Sequence, residues 1–286
     1  MTNCNPIQTP LPTKLPTDPS LLLPFAQPAL FRQLVGSLQY LSSIRPDIAF
    51  AVNKLCQQMH SPLILHFQLA KRVLRYLKGT LHYALFISKT DLVLTAFADS
   101  DWAGDTVVRK STSGYCTFLG KALIALTVKK QSTVARSSTE SEYRSLAAAA
   151  ADLIWIRRLC ADFDITLPPS SIFCDSVSAL SIAQHPIFHA RTKHIEIDHH
   201  FLRDSIQAKH ITVHHVASED QIADLLTKPL HYSKFNILRT KLMVVPPINL
   251  RDGEKHSVYS TTSEHEPRSS FYSTAASPAV TAAVVP

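Results

Sequence analysis

The order of strand-like and helix-like runs between Leu92 and Leu226 constrains the fold more than any other feature of this sequence. Leu92 to Ala98 is rich in strand formers and runs into Asp99, and Tyr115–Leu119 and Ala122–Val128 read as two more strands, joined around Gly120 and Lys121 like a hairpin. A long helix is expected from Thr139, with Glu142 three residues on and Ala147–Ala151 carrying helix propensity through to Phe163. Pro168 and Pro169 break the chain before a short strand, Ser171–Cys174, that delivers Asp175 at its end. Ser176–Ala183 and His194–Ile206 read as helices, Ile211–Val216 as a strand, and Gln221–Leu226 as the start of a final helix. Five strands interleaved with helices predict an α/β fold, a mixed sheet with helices packed on it.

The flanking segments have a different character. Residues 1–28 hold seven of the 18 prolines and predict an extended Pro-rich arm. Residues 29–82 have helical periodicity, with Ile48, Val52, Leu55 and Met59 on one stripe and Leu69, Val73, Leu74 and Leu77 on another. The mixed part is expected over 83–244, and residues 245–286 lack a sustained period and are expected to be disordered.

Charge is unevenly placed. Eight basic residues face a single acid, Asp47, between Leu30 and Thr90, so the whole net charge of +7 resides there. Lys71, Arg72, Arg75 and Lys78 fall largely off the apolar stripe, which predicts a basic outer face suited to a polyanion such as nucleic acid; a solvated helix face is the plainer alternative.

Several classes are set aside by what the sequence lacks. No apolar run approaches the roughly 18 residues of a membrane span, and Lys14 is the single basic residue in the first 31 positions. Neither a membrane partner nor a signal or transit peptide is therefore expected, and the expected location is intracellular, in cytoplasm or nucleus. The five cysteines include no CxxC pair and read as free thiols.

Carboxylates recur where elements begin or end: Asp99 and Asp101, Glu140 and Glu142, Asp175, then Asp220 and Asp224. Brought side by side in such a sheet, they could hold hard divalent cations, since Mg²⁺ takes oxygen ligands. Each also has a purely local explanation. Glu142 suits a capping box opened by Thr139, Asp220 suits a helix first turn, and Asp99 suits a turn. Glu140 and Glu142 cannot share one helical face, whereas Asp220 and Asp224 can.

A series of motifs then points to a family. Leu34-Val-Gly-Ser-Leu-Gln-Tyr-Leu41, Arg45-Pro-Asp-Ile-Ala-Phe-Ala-Val52, Lys71-Arg-Val-Leu-Arg-Tyr-Leu-Lys-Gly-Thr80, Ala98-Asp-Ser-Asp-Trp-Ala-Gly104, Arg109-Lys-Ser-Thr-Ser-Gly-Tyr115, Lys129-Lys-Gln131, Ser137-Ser-Thr-Glu-Ser-Glu-Tyr143, Phe173-Cys-Asp175, Arg191-Thr-Lys-His194 and Glu219-Asp-Gln-Ile-Ala-Asp-Leu-Leu-Thr-Lys-Pro229 resemble the C-terminal part of the Pol polyprotein of copia-type LTR retrotransposons. The resemblance covers roughly positions 29 to 245.

It implies an RNase H-like mixed five-stranded sheet flanked by helices, preceded by a small helical segment similar to the end of a reverse transcriptase and its connection. The implied activity is hydrolysis of the RNA strand of an RNA–DNA hybrid, leaving a 5′-phosphate and a 3′-hydroxyl. Two Mg²⁺ ions, with Mn²⁺ as a substitute, would be held by Asp99, Glu142, Asp175 and Asp224, with Asp101, Asp220 and Glu219 as second choices. Lys71, Arg72, Arg75, Lys78, Lys129 and Lys130 would contact nucleic acid, and the reverse transcriptase portion of Pol is an expected partner. The alternative is a non-catalytic nucleic-acid-binding remnant of a decayed element. A Tyr-x-Asp-Asp polymerase motif is absent from the sequence, and the acids run Asp, Glu, Asp, Asp rather than in the Asp, Asp, Glu order of integrases.

Overall fold

The computed structural model describes residues 4–87, 91–184 and 196–246. Three helices come first: α1 (Pro28–Leu41), α2 (Ala49–Cys56) and α3 (Ile64–Gly79). After β1 (Ala84–Leu85) come β2 (Leu94–Asp101), β3 (Thr112–Leu119), β4 (Ala122–Lys130) and the 25-residue α4 (Ser138–Asp162). β5 (Ser170–Cys174), α5 (Val177–Gln184), α6 (Glu196–Gln207) and β6 (Ile211–His215) follow, then a 3₁₀ turn (Ile222–Leu226), α7 (Tyr232–Lys241) and β7 (Val244–Val245). The expected motif at Arg191 to His194 and nearly all of the expected tail lie outside the described residues.

The five-stranded sheet runs β4-β3-β2-β5-β6. β2, β3 and β4 form an antiparallel meander, while β5 lies parallel to β2, and β6 parallel to β5. The mixed α/β class expected from the run order is therefore the one formed. A separate two-stranded ribbon pairs Ala84 with Val245 and Leu85 with Val244.

Two apolar cores lie on the two faces of the sheet. On one, Ala96 and Ala98 of β2 meet Leu146, Ala149, Ala150 and Leu153 of α4, all fully buried. Small residues on both sides let the long helix lie close to the central strand, which fixes where its first turns end up. On the other face, Cys116 and Phe118 of β3 share a core with Val35, Val52, Leu55, Val73 and Tyr76 of the first three helices and with Leu226, Phe235 and Leu238 near the end of the chain. The helical segment is thus packed into the sheet's second core.

The Arg45-Pro-Asp47 motif has a structural role in that packing. Arg45 grips Asp47 through two bonds of 2.9 and 2.8 Å and donates to the Thr80 carbonyl at 2.9 Å; Tyr76 donates to Asp47, and Arg239 of α7 reaches the Tyr76 hydroxyl at 3.3 Å. Buried charges of this kind persist because each is paired and hydrogen-bonded. Among the described residues no helix is long and apolar enough to cross a membrane.

Candidate active site

β2 is longer than the sequence suggests. β3 begins at Thr112 rather than Tyr115, and its extra residues pair with the end of β2 in the ladder Asp99↔Gly114, Ser100↔Ser113, Asp101↔Thr112. Asp99 therefore lies inside the strand, held by backbone pairing and buried, instead of in a turn after it. β5 runs parallel beside β2, so Asp175, the residue after Cys174, emerges at the same carboxyl edge. Such edges of parallel strands are where open α/β sheets place their sites.

The capping assignment at α4 needs correction. Ser137 is the N-cap, its hydroxyl accepting from the Glu140 N–H at 3.1 Å, so the helix starts earlier than a cap at Thr139 would have it. Glu140 is engaged locally, accepting from the Arg136 N–H at 2.8 Å and pairing with Arg144 at 2.6 Å. Glu142 is left free of the cap, buried against the ends of β2 and β5, with the Cys174 thiol 3.9 Å from its carboxylate. One turn on, the Ser145 hydroxyl donates to the Asp99 carbonyl at 2.8 Å and to the Gly114 carbonyl at 3.2 Å, which fixes the helix to both strands.

Asp224 arrives on the 3₁₀ turn, not on the first turn of a final α-helix, and α7 starts only at Tyr232. Gln221 sets this turn: its side-chain oxygen accepts from the Ala223 N–H at 3.2 Å, while its amide donates to the Ala98 carbonyl at 2.9 Å. The turn crosses β3 where Gly114 has no side chain. A Cβ at Gly114 would stand 2.7 Å from Leu226 Cβ and 2.8 Å from Thr227 Cγ2. Gly114→Ala is therefore expected to lower stability by roughly 2 kcal/mol through overpacking and to displace Asp224; an unchanged urea midpoint would show that the turn is not seated on β3.

The four acids expected from the sequence meet at this edge. Oxygens of Asp99, Asp175 and Asp224 lie within 4.8 Å of one another, and Glu142, Cys174 and Asp175 form a second such group, so Asp175 is common to both. Ser218 donates to Asp175 at 2.8 Å and Thr227 donates to Asp99. Lys228 Nζ stands 2.8 Å from Asp224 Oδ1 and 3.5 Å from Asp99 Oδ2, and Lys234 Nζ stands 2.5 Å from Asp224 Oδ2. Asp224 is buried beneath these two ammonium groups.

Burial dominates the electrostatics. It pushes Glu142 up to about 9, with the charges of Asp99 and Asp175 adding to the effect. Asp99 is raised by burial to about 6, with the Lys228 ammonium pulling the other way and Asp224 adding to the rise. Lys228 is held above its ordinary value by Asp99 and Asp224 in spite of burial.

The second-choice acids belong to neither group. The Asp101 carboxylate lies against the backbone at Gly104, still near enough to feel the charges of Lys228 and Asp224, Asp220 pairs with Lys241 at 2.5 Å, and Glu219 is exposed. Sequence reasoning did not single out Gly114, Ser145, Gln221, Thr227 or Lys228. Ser145 could have been found as the residue one turn beyond Glu142 on the same face, and Thr227 and Lys228 stand within the Asp224 motif.

The basic candidates divide into two sets. On α3, Arg72 donates to the Thr9 hydroxyl at 2.9 Å, Arg75 to the Asn5 carbonyl at 2.7 Å and Lys78 to the Cys4 carbonyl at 2.9 Å, so the arm lies along this face. Lys71 lies over the Phe67 ring. On β4, the register sets exposed Lys129 level with Ser100, and Lys130, paired with Asp105, level with Asp101.

No protein-family model matches the chain. The chain is 45% identical over 253 residues, 86% of its length, to the retrovirus-related Pol polyprotein from transposon RE2 of Arabidopsis thaliana. It is 32% identical over 247 residues to that from transposon TNT 1-94 of Nicotiana tabacum. The chain belongs to the retrovirus-related Pol polyproteins of copia-type transposons. This Pol segment spans 17% and 18% of the length of those two relatives. Among solved structures it is similar to the N-terminal RNase H domain of a Mycobacterium tuberculosis protein, with a TM-score of 0.37 and 14% identity over 52% of this chain and 98% of that one.

Proposed function

We propose that this Pol segment is an RNase H-type endonuclease that hydrolyses the RNA strand of an RNA–DNA hybrid, working beside the reverse transcriptase portion of its polyprotein. The observation that carries the reading is the convergence of Asp99, Glu142, Asp175 and Asp224, from four separate elements, on one edge of the sheet. Buried carboxylates without enough positive charge are costly, so an arrangement of this kind makes sense as a cation site. The donors fit the group. They are hard oxygens suited to Mg²⁺ or Mn²⁺, and Asp175 is common to both clusters.

Two divalent ions bound there would activate water and neutralise charge developing on the scissile phosphate. The protein's own part is positional. β2 and β5 hold Asp99 and Asp175 on rigid strands, Ser145 fixes the helix bearing Glu142, and Gln221 fixes the turn bearing Asp224. Lys129 and Lys130, at the same end of the sheet, and Lys71, Arg72, Arg75 and Lys78 on α3 would follow the hybrid's phosphates, those on α3 in exchange for their contacts to the arm.

The deciding experiment is cleavage of a labelled RNA–DNA hybrid with Mg²⁺ and with chelator. Mg²⁺-dependent scission of the RNA strand alone is expected. Hybrid binding without scission would favour the non-catalytic remnant. Repeating the binding over a salt series reads the phosphate contacts, because changing the four α3 residues to Gln should flatten the slope; an unchanged slope would leave Arg72, Arg75 and Lys78 as anchors of the arm alone.

A further inference from the structure

The acid cluster contains cations of its own. Lys228 lies four residues beyond Asp224, at the end of the 3₁₀ turn, and its Nζ faces Asp224 Oδ1 at 2.8 Å and Asp99 Oδ2 at 3.5 Å. Both residues belong to the group of three whose oxygens come within 4.8 Å of one another. The ammonium therefore contacts oxygens that a divalent ion at this group would use. Lys234 is placed differently: it reaches Asp224 alone among the four acids and is tied at 2.8 Å to the Ser218 carbonyl.

We propose that Lys228 is a positioning residue, the resident counter-cation of the acid cluster, which holds Asp99 and Asp224 together until a divalent cation displaces it. The inference rests on the reading of the cluster as a metal site. Mg²⁺ binds carboxylate oxygens at about 2.0–2.1 Å, and an ammonium on the same oxygens would face a like charge at close range. The two are therefore alternatives. The Lys228 side chain keeps 36% of its surface exposed and carries its charge on a flexible four-carbon stem, so it can swing to solvent without disturbing the turn.

Removing this charge should have two opposite consequences. Without ions, Asp99 and Asp224 lose a compensating charge and the fold is weakened; with ions, a competitor is gone and binding tightens. A lysine that merely shaped the site would, on removal, weaken ion binding instead. The sign therefore separates the two roles.

The test is thermal melting in chelator and calorimetric titration with MgCl₂ of the parent chain, Lys228→Gln, Lys228→Arg and Lys234→Gln. Lys228→Gln is expected to melt lower in chelator and to bind Mg²⁺ roughly three- to tenfold more tightly, a modest change because the group is partly exposed. Lys228→Arg keeps the charge and should not tighten binding, and Lys234→Gln should tighten it less than Lys228→Gln. Equal or weaker Mg²⁺ binding by Lys228→Gln overturns the proposal, as does tightening by Lys228→Arg to the same extent. If neither the parent nor Lys228→Gln binds Mg²⁺, the metal-site reading fails and takes the proposal with it. If Lys228→Gln is unfolded in chelator, saturating Mg²⁺ must restore its melting transition; a chain that stays unfolded also overturns the proposal.

Discussion

Glu142→Gln should reduce Mg²⁺-dependent hybrid cleavage by at least about a thousandfold, whereas Glu140→Gln should leave it within a few-fold of the parent. The two residues stand two positions apart on α4 and have opposite environments. Glu140 is occupied by the Arg136 N–H and by Arg144 at the helix start, contacts that glutamine can partly replace. Glu142 is buried towards Asp99 and Asp175, where a neutral amide keeps the shape but removes a charge that the proposed cations need. Initial rates on a labelled hybrid decide the matter. If Glu140→Gln proves the more damaging, the inward acid has been misassigned; equal and mild losses would detach both residues from the chemistry.

The stability of the ion-free protein should fall as pH rises. Glu142 goes from an ordinary 4.5 to about 9 on folding, and Asp99 from 3.8 to about 6. Carboxyls raised in this way bind protons more tightly in the native state than in the unfolded chain. Their effect is absent below about pH 4 and grows as destabilisation through the window up to pH 9. Between pH 5 and pH 8 in chelator the two shifts together correspond to a loss of about 5 kcal/mol, or about 10–20 °C in melting temperature.

Mg²⁺ should oppose this slope, since an ion that binds the folded state stabilises it by mass action. Asp175→Asn, with one charge fewer, should melt no lower than the parent in chelator at pH 8 and gain less from Mg²⁺. Melting curves at both pH values, with and without Mg²⁺, provide the check. A flat profile in chelator would mean that the carboxylates are solvated, and equal Mg²⁺ gains for parent and variant would remove Asp175 from the ligand set.

The sheet was legible because strand runs, a hairpin and an Ala-rich helix leave strong local signals, whereas the choice of Asp99, Glu142, Asp175 and Asp224 among the candidate acids came from the family resemblance. Finer details depended on partners far away in sequence. β2 extends through Asp101 because Thr112 and Ser113 pair with it, and no property of residues 99–101 alone announces that. The cap at Ser137 outcompeted Thr139, which moved the capping role to Glu140 and left Glu142 for the cluster. The basic face of α3 was visible as spacing, but its engagement by Cys4, Asn5 and Thr9 joins positions more than sixty residues apart. Lys228 stood inside the Asp224 motif without a role, and Lys234 in no motif; the 3₁₀ turn brings the first back to Asp224 and the start of α7 brings the second.

The core shared by Val35, Val52 and Tyr76 with Cys116, Phe118 and Phe235 has a consequence for how such a segment can be inherited. All four acids lie downstream of residue 83, so the shortest stretch containing them omits the first three helices. That stretch would carry the bare apolar underside of its sheet, together with a Tyr76–Arg239 contact broken in half. A recombination event that exchanged the acid-bearing stretch alone would have to find matching helices in the recipient element, or leave a sticky surface for aggregation. The unit that could be shuffled intact between elements is therefore longer than the stretch that bears the acids.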